Sequence, residues 1–524
     1  MGNFTSTFER NVKGEYLQLG GILPGMMGLV EPFEAGMKLR DSDMPQMAPL
    51  ADQFKKSADA ILRSQDQKIR RSTTWLNVPN HGWVCATAES QKSATGTLLG
   101  TAVFAENRID SQRHDAPELS AYGEFTVGVR TLEMVNPGQI DILAIDAAAE
   151  KPTEWPRYDR PLTVEVWYPA DSAAVGSTEL KAYLRDGKTE VTLIGQAMRD
   201  AAPLTGGHAL PLVIVSHGSP GNRFLLAHLA ENIASKGYVV ASIDHTDSTY
   251  RTRAASGSTL INRSIDQIFV LNELARLAGK DGNFLNGLAD TGNAAIMGFS
   301  MGGYGAIITA GGGVTQAAVD LSWGGPHGTL GVHLSGSDSH NALTDSRIKT
   351  IIAFGPWGME RGFWDAETLK EVKIPSLFIA GSIDDVSGYE KGVRAIWQGA
   401  VSVDRSLLTF DNANHNAGAP MPAPREADKV DEELGFNLAE HYNDAVWDSV
   451  RMNNISQHFV TAWLGYHLKG DKAMSAYLDL APNANDGVWA KEDDGSQKPE
   501  HTHWTGFQNR TAKGLHYEVL KAGE

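Results

Sequence analysis

Residues 293–305 read Asn-Ala-Ala-Ile-Met-Gly-Phe-Ser-Met-Gly-Gly-Tyr-Gly, with Ser300 spaced two residues from Gly298 and two from Gly302. A serine hydroxyl that attacks a carbonyl must stand clear of its own backbone on a very tight turn. Side chains two residues before and after it would collide, and glycine removes them. The apolar run Ala294 to Met297 before the turn predicts a strand, and the small-residue run Ala306 to Ala310 after it predicts a helix. In that setting Ser300 is the candidate nucleophile. The Met301 amide, at the helix start, has no partner within the helix and points where a tetrahedral oxyanion would form.

Such a serine needs a base, a group that orients the base and a second oxyanion donor. The run Ser376 to Ala380 leads into Gly381-Ser382-Ile383-Asp384-Asp385, so two carboxylates follow a strand end. Asp384 is the expected orienting acid, with Asp385 as the substitute; capping of a following helix is the structural alternative for either. The run Ser406 to Phe410 leads into Asp411-Asn412-Ala413-Asn414-His415, and His415 is the expected base. Ser216-His217-Gly218-Ser219-Pro220-Gly221 follows the run Leu212 to Val215. Its glycines let the backbone approach a substrate, and the Ser219 amide is the expected second donor. His217 is a candidate substrate contact, although its place in the loop suits a brace better. Trp357 either lines an acyl or aromatic pocket or packs as core. His245 reads as a polar brace behind the site. His501 and His503 lack a third ligand, so no metal and no cofactor are expected.

The elements that must position these residues emerge from about residue 120. Strands alternate with helices there, which predicts a mainly parallel sheet covered on both faces. Strands are expected at Gly123 to Met134, Leu162 to Tyr168, Leu212 to Val215, Tyr238 to Ile243, Ile348 to Phe354, Ser376 to Ala380 and Ser406 to Phe410, besides the one before Ser300. Helices are expected over Asn222 to Lys236, around Ile261 to Ala275, and along Ala439 to Leu468. Gly311 to Thr344 and Asn416 to Glu433 interrupt the pattern, and loops this long beside the site are either substrate-binding or lid segments or surface insertions. Residues 1–115 read as an N-terminal extension, possessing one amphipathic helix over Pro49 to Arg70 and a turn at Pro79 to Gly82, that caps the main domain at 116–524.

Composition narrows the function classes. The chain has 524 residues, a formal net charge of -17 and no basic block, which argues against a nucleic-acid or anionic-membrane surface. A single cysteine, Cys85 in an apolar run, excludes an intramolecular disulfide. No basic segment followed by an apolar one marks the N-terminus, so neither a signal peptide nor a membrane span is expected, and a soluble, cytoplasmic protein is.

Arg160 to Pro169, Ser216-His217-Gly218, Gly237 to Val240 through Asp244-His245, and Gly298 to Gly303 together resemble the dienelactone-hydrolase-like and platelet-activating-factor-acetylhydrolase-like branch of the α/β-hydrolases. The resemblance covers roughly residues 120 to 470. It implies an α/β-hydrolase fold and a serine esterase that needs no cofactor. Two departures stand out. Dienelactone hydrolases carry cysteine at the elbow, where this chain has Ser300, and in the acetylhydrolases the acid follows the preceding strand, which here ends in Gly355-Pro356-Trp357. The expected activity is hydrolysis of a small carboxylic ester through an acyl-enzyme. A peptidase or amidase with the same triad, or a non-catalytic binding protein of this fold, are the alternatives.

Overall fold

The computed structural model describes residues 106–146, 148, 150–254 and 256–524 in full, and six strands within residues 5–87. It divides into two compact units, Met1–Glu106 and Asn107–Glu524. In the first, Thr5–Asn11, Gly14–Gly20, Val30–Phe33 and Gly36–Leu39 form a four-stranded sheet. Thr73–Val78 and Gly82–Thr87 pair antiparallel, with Val78 opposite Gly82, and residues 79–81 of the expected turn lie outside the described residues. Cys85 lies in the last of these strands. The helix expected over Pro49 to Arg70 lies outside the described residues.

The second unit begins several residues before the expected boundary. Leu193 and Ile194 pair with Asn107 and Arg108, and the Arg113 amide donates to Asn454 Oδ1, tying this stretch to the larger unit. Its main sheet has ten strands: β1 (Val127–Ile140), β2 (Arg157–Pro169), β3 (Met198–Arg199), β4 (Leu210–Ser216), β5 (Val239–Asp244), β6 (Ala289–Phe299), β7 (Ile348–Phe354), β8 (Ser376–Gly381), β9 (Arg405–Phe410) and β10 (Leu515–Leu520). Their spatial order is β3-β1-β2-β5-β4-β6-β7-β8-β9-β10. From β5 to β9 every neighbour is parallel, whereas β1, β2 and β10 join antiparallel.

Alternate residues of the central strands serve two cores. On one face Val213, Val215, Ala295, Met297, Ile352 and Phe354 pack with helices α1 (Ala227–Ala234) and α4 (Ser449–His467). On the other, Leu212, Ile214, Ala294, Ile296, Ile351 and Ala353 pack with α2 (Ser256–Ala278) and α3 (Met301–Thr309). Strands buried on both faces read as continuous apolar runs, which is why the expected bounds of β4 to β9 come within a few residues of the observed ones. The mainly parallel sheet with helices on both faces is therefore borne out.

Where the structure departs, local polar groups decide. The helix expected from Ala439 starts at Ser449, because Asp444 accepts the amides of Val446 and Trp447, and Asp448 caps the helix proper by accepting from Arg451. The helix expected from Asn222 becomes regular only at Ala227, since the Asn222 side chain takes the Phe224 amide in a turn. Gly311 to Thr344 holds three short helical segments and buries Val314, Leu330, His333 and His340. Asn416 to Glu433 likewise buries Ala417, Ala419, Met421 and Ala427. Both stretches are packed into the domain. β10, in the tail that the sequence pattern leaves unmatched, completes the sheet beside β9. No helix among the described residues is long and apolar enough to cross a membrane.

Candidate active site

Ser300 occupies the one-residue corner between β6 and α3, with φ 55 and ψ -114. A non-glycine residue held there is strained, and three backbone contacts hold it. Its amide donates to the Phe354 carbonyl of β7 at 2.8 Å, and its carbonyl accepts from Tyr304 at 2.9 Å and Trp357 at 3.3 Å. The flanking glycines answer to close approach. A Cβ on Gly298 would lie 2.2 Å from the Gly302 carbonyl, and one on Gly302 would lie 1.9 Å from the Ser216 oxygen.

Asp384 and His415, from the ends of β8 and β9, meet beside this corner. His415 Nδ1 lies 3.0 Å from Asp384 Oδ2 and 3.1 Å from Oδ1. Asp384 is 6% exposed and also accepts the amides of Val386 and Ser387, at 2.9 and 2.8 Å. Burial pushes its carboxyl up, but the His415 bond and those amides outweigh it, so the carboxyl sits below its ordinary value. Asp385 faces solvent, which separates the two carboxylates that spacing alone leaves adjacent. The His415 ring packs 5.0 Å from Phe299, the residue before Ser300. Gly355, at φ +45, makes the room: a Cβ there would lie 3.1 Å from Asp384 Oδ2 and 3.2 Å from the His415 ring. The acid from β8 thus occupies the space beside the end of β7, where Gly355-Pro356-Trp357 offers no carboxylate.

The loop after β4 runs past the other side of the corner, where a Cβ on Gly218 would lie 3.3 Å from Ser300 Cβ. Neither the Met301 amide nor the Ser219 amide donates to another group among the described residues. His217 is fully buried; its Nδ1 donates to the Gly218 carbonyl at 2.6 Å and its Nε2 accepts the His245 amide at 3.2 Å. Both ring nitrogens are thus used within the protein, the arrangement of a loop brace, the other role the sequence offers for His217. Burial, with Arg263 and His245 nearby, holds this imidazole well below its ordinary value and neutral. Trp357 does stand at the corner, its ring among those of Tyr304, Trp323 and Phe363 at 6.5, 6.2 and 5.3 Å.

A second serine, histidine and carboxylate set lies beneath the first. Ser216 Oγ is 2.8 Å from His245 Nε2, and His245 Nδ1 is 2.9 Å from Asp266 Oδ2. Arg160 grips both oxygens of Asp266, at 2.8 and 2.9 Å, and reaches Asp247 at 2.6 Å. Ser216 and Asp266 are wholly buried, Ser216 within the last position of β4, so no substrate reaches them. Burial, then Arg263 and Arg160, keep His245 neutral. The brace expected at His245 is present. Asp266 has no local sequence signal, and nothing in the stretch Arg160 to Pro169 discloses that Arg160 pairs with it, since the two meet only through the packing of α2 against the start of β2. His501 and His503 flank the Trp489 ring.

A protein-family profile described as platelet-activating factor acetylhydrolase, isoform II, matches residues 154–267. The platelet-activating factor acetylhydrolase of Cavia porcellus is 31% identical over 118 residues, which is 21% of this chain and 27% of that relative. The chain thus spans about a quarter of the length of the curated relative it matches. A solved ferulic acid esterase from Streptomyces cinnamoneus aligns at TM-score 0.46 and 19% identity, covering 70% of this chain and 94% of its own. The family match includes His217, Ser219, His245 and Asp266 and ends before Ser300.

Proposed function

We propose that this α/β-hydrolase hydrolyses small carboxylic esters through an acyl-enzyme on Ser300. The observation that carries the reading is the Asp384–His415 pair, 3.0 Å apart, beside a serine held at positive φ between β6 and α3. The match to an acetylhydrolase family supports an ester as substrate class.

The geometry supports one sequence of steps. Asp384 accepts from His415 Nδ1–H, which leaves Nε2 as the acceptor for the Ser300 proton. The Ser300 oxygen attacks the carbonyl carbon, and the Met301 and Ser219 amides take up the developing oxyanion. His415 then returns its proton to the leaving alcohol, forming the acyl-serine. Water attacks next, giving its proton to His415, and Ser300 leaves with that proton. Asp384 remains ionised and stabilises the imidazolium between the two transfers. Trp357 forms the apolar wall that receives the flat or extended part of the ester.

The test is turnover of a series of p-nitrophenyl esters, with mass spectrometry after treatment with a serine-directed phosphonate. Ser300→Ala should fold normally and lose at least about three orders of magnitude in kcat, with the wild-type phosphonate adduct mapping to Ser300. Trp357→Ala should raise KM for long or aromatic acyl groups and leave the acetate ester little changed. Full turnover in Ser300→Ala, or an adduct elsewhere, sinks the reading.

A further inference from the structure

Arg263, on α2, is completely enclosed, and none of its hydrogen bonds among the described residues goes to a carboxylate. Its neighbour Arg160 is gripped by two aspartates, so the difference is not one of supply. Arg263 instead spends its guanidinium on the loop after β4. Nη1 donates to the His217 carbonyl at 2.7 Å, and Nη2 to the Ser248 hydroxyl at 2.6 Å and the Gly218 carbonyl at 3.4 Å. The Gly218 carbonyl also takes His217 Nδ1–H.

Peptide geometry turns these contacts into a statement about amides. In a trans peptide the carbonyl and the following N–H point in opposite directions. Holding the His217 and Gly218 carbonyls from the α2 side therefore turns the Gly218 and Ser219 amides to the other side. The loop runs past Ser300 there, since a Cβ on Gly218 would lie 3.3 Å from Ser300 Cβ. The arginine stem also packs against α3, one turn beyond the other proposed donor at Met301: a Cβ on Gly305 would meet Arg263 Cγ at 2.6 Å. One side chain thus supports the loop that carries Ser219 and the helix that starts at Met301.

We propose that Arg263 is the positioning residue of the oxyanion hole, fixing the two peptide planes of the β4 loop so that their amides face the carbonyl under attack. The assignment rests on the ester-hydrolase reading above. It gives a buried cation a catalytic reason: preorganised donors act because they need no reorientation as charge develops, and the positive charge behind the two peptides polarises them in the direction an oxyanion favours. Burial lowers the Arg263 guanidinium to about 9, which leaves it charged at neutral pH.

The test compares Arg263→Gln and Arg263→Lys with wild type, measuring kcat and KM on an acetate ester, inhibition by a trifluoromethyl ketone, and thermal unfolding. The ketone becomes tetrahedral on a serine and places an oxyanion in the hole, so its Ki reads the hole directly. Arg263→Gln should lose about a hundredfold in kcat with KM little changed, and Ki should rise by the same factor. Arg263→Lys, which keeps the charge but reaches one carbonyl, should fall between, and it carries the test if the glutamine variant does not fold. A loss of kcat/KM with unchanged ketone affinity, or one that resides in KM alone, overturns the assignment while leaving the ester reading intact. A wild-type protein that turns over no ester overturns both.

Discussion

Gly355 is the residue on which the Asp384–His415 pair depends without being part of it. A methyl group there would press on Asp384 Oδ2 and the His415 ring from 3.1 and 3.2 Å, in a backbone at φ +45 that disfavours any Cβ. Gly355→Ala should therefore lower kcat by about tenfold or more while costing about 1–2 kcal/mol of stability. Kinetics set beside urea unfolding decides the matter, and unchanged kcat in a folded protein would show the pair to be indifferent to this wall. At this scale the sequence is legible where a turn fixes chemistry: Ser300, Asp384 and His415 each follow a buried strand. Arg263 and Asp266 are silent in it, and Arg160, though it opens the stretch Arg160 to Pro169, carries no role that the sequence alone discloses. Arg263 and Asp266 lie on helix positions with no motif, and only the packing of α2 beneath the β4 loop joins them to the site.

Among the elements, α1 shows how one buried carboxylate ties a helix to a turn. Glu231 is fully buried and accepts from Tyr122 Oη at 3.0 Å and from the amides of Gln196 and Ala197 at 2.7 and 2.9 Å. Burial outweighs those bonds and raises its carboxyl from 4.5 to about 6. The folded state thus holds the Glu231 proton more tightly than the unfolded chain. This contribution to stability is full below about pH 4.5 and is lost as pH rises through about 6, a change of about 2 kcal/mol. Glu231→Gln removes the titration and turns an NH2 group toward the Gln196 and Ala197 amides or the Tyr122 hydroxyl, all of which donate to Glu231. Its stability gap to wild type should change by about that amount between pH 4.5 and 7, the wild type losing its advantage as pH rises. Urea midpoints across the range measure it, and a gap that does not vary with pH would refute the account. Elements of this kind separate what periodicity reveals from what it hides. β4 and β7 are unbroken apolar runs and stand out. The helical segments Gln316–Val319 and Asp338–Asn341 are one turn each, shorter than any period can register, and β1 and β2 run on past their apolar parts as a long antiparallel ribbon.

For the molecule as a whole, β10 decides how the sheet ends. Leu515 and Tyr517 are buried, the Tyr517 ring stacks on Phe459 of α4 at 5.1 Å, and Arg405 of β9 donates to the carbonyls of Lys521 and Glu524. A chain ending at Gly514 would leave β9, the strand that leads to His415, with an unpaired and largely apolar edge. Such a protein should lose at least about 3 kcal/mol from the two buried side chains alone and should aggregate in a concentration-dependent way. Unfolding and light scattering against the full chain check this, and a monomer of undiminished stability would contradict it. The tail reads as unmatched in the sequence because a single antiparallel strand following irregular segments carries no alternation of strand with helix to announce it. It also has a consequence during synthesis: β9 leaves the ribosome about a hundred residues ahead of Leu515–Leu520, so the strand that leads to His415 emerges with one edge still uncovered.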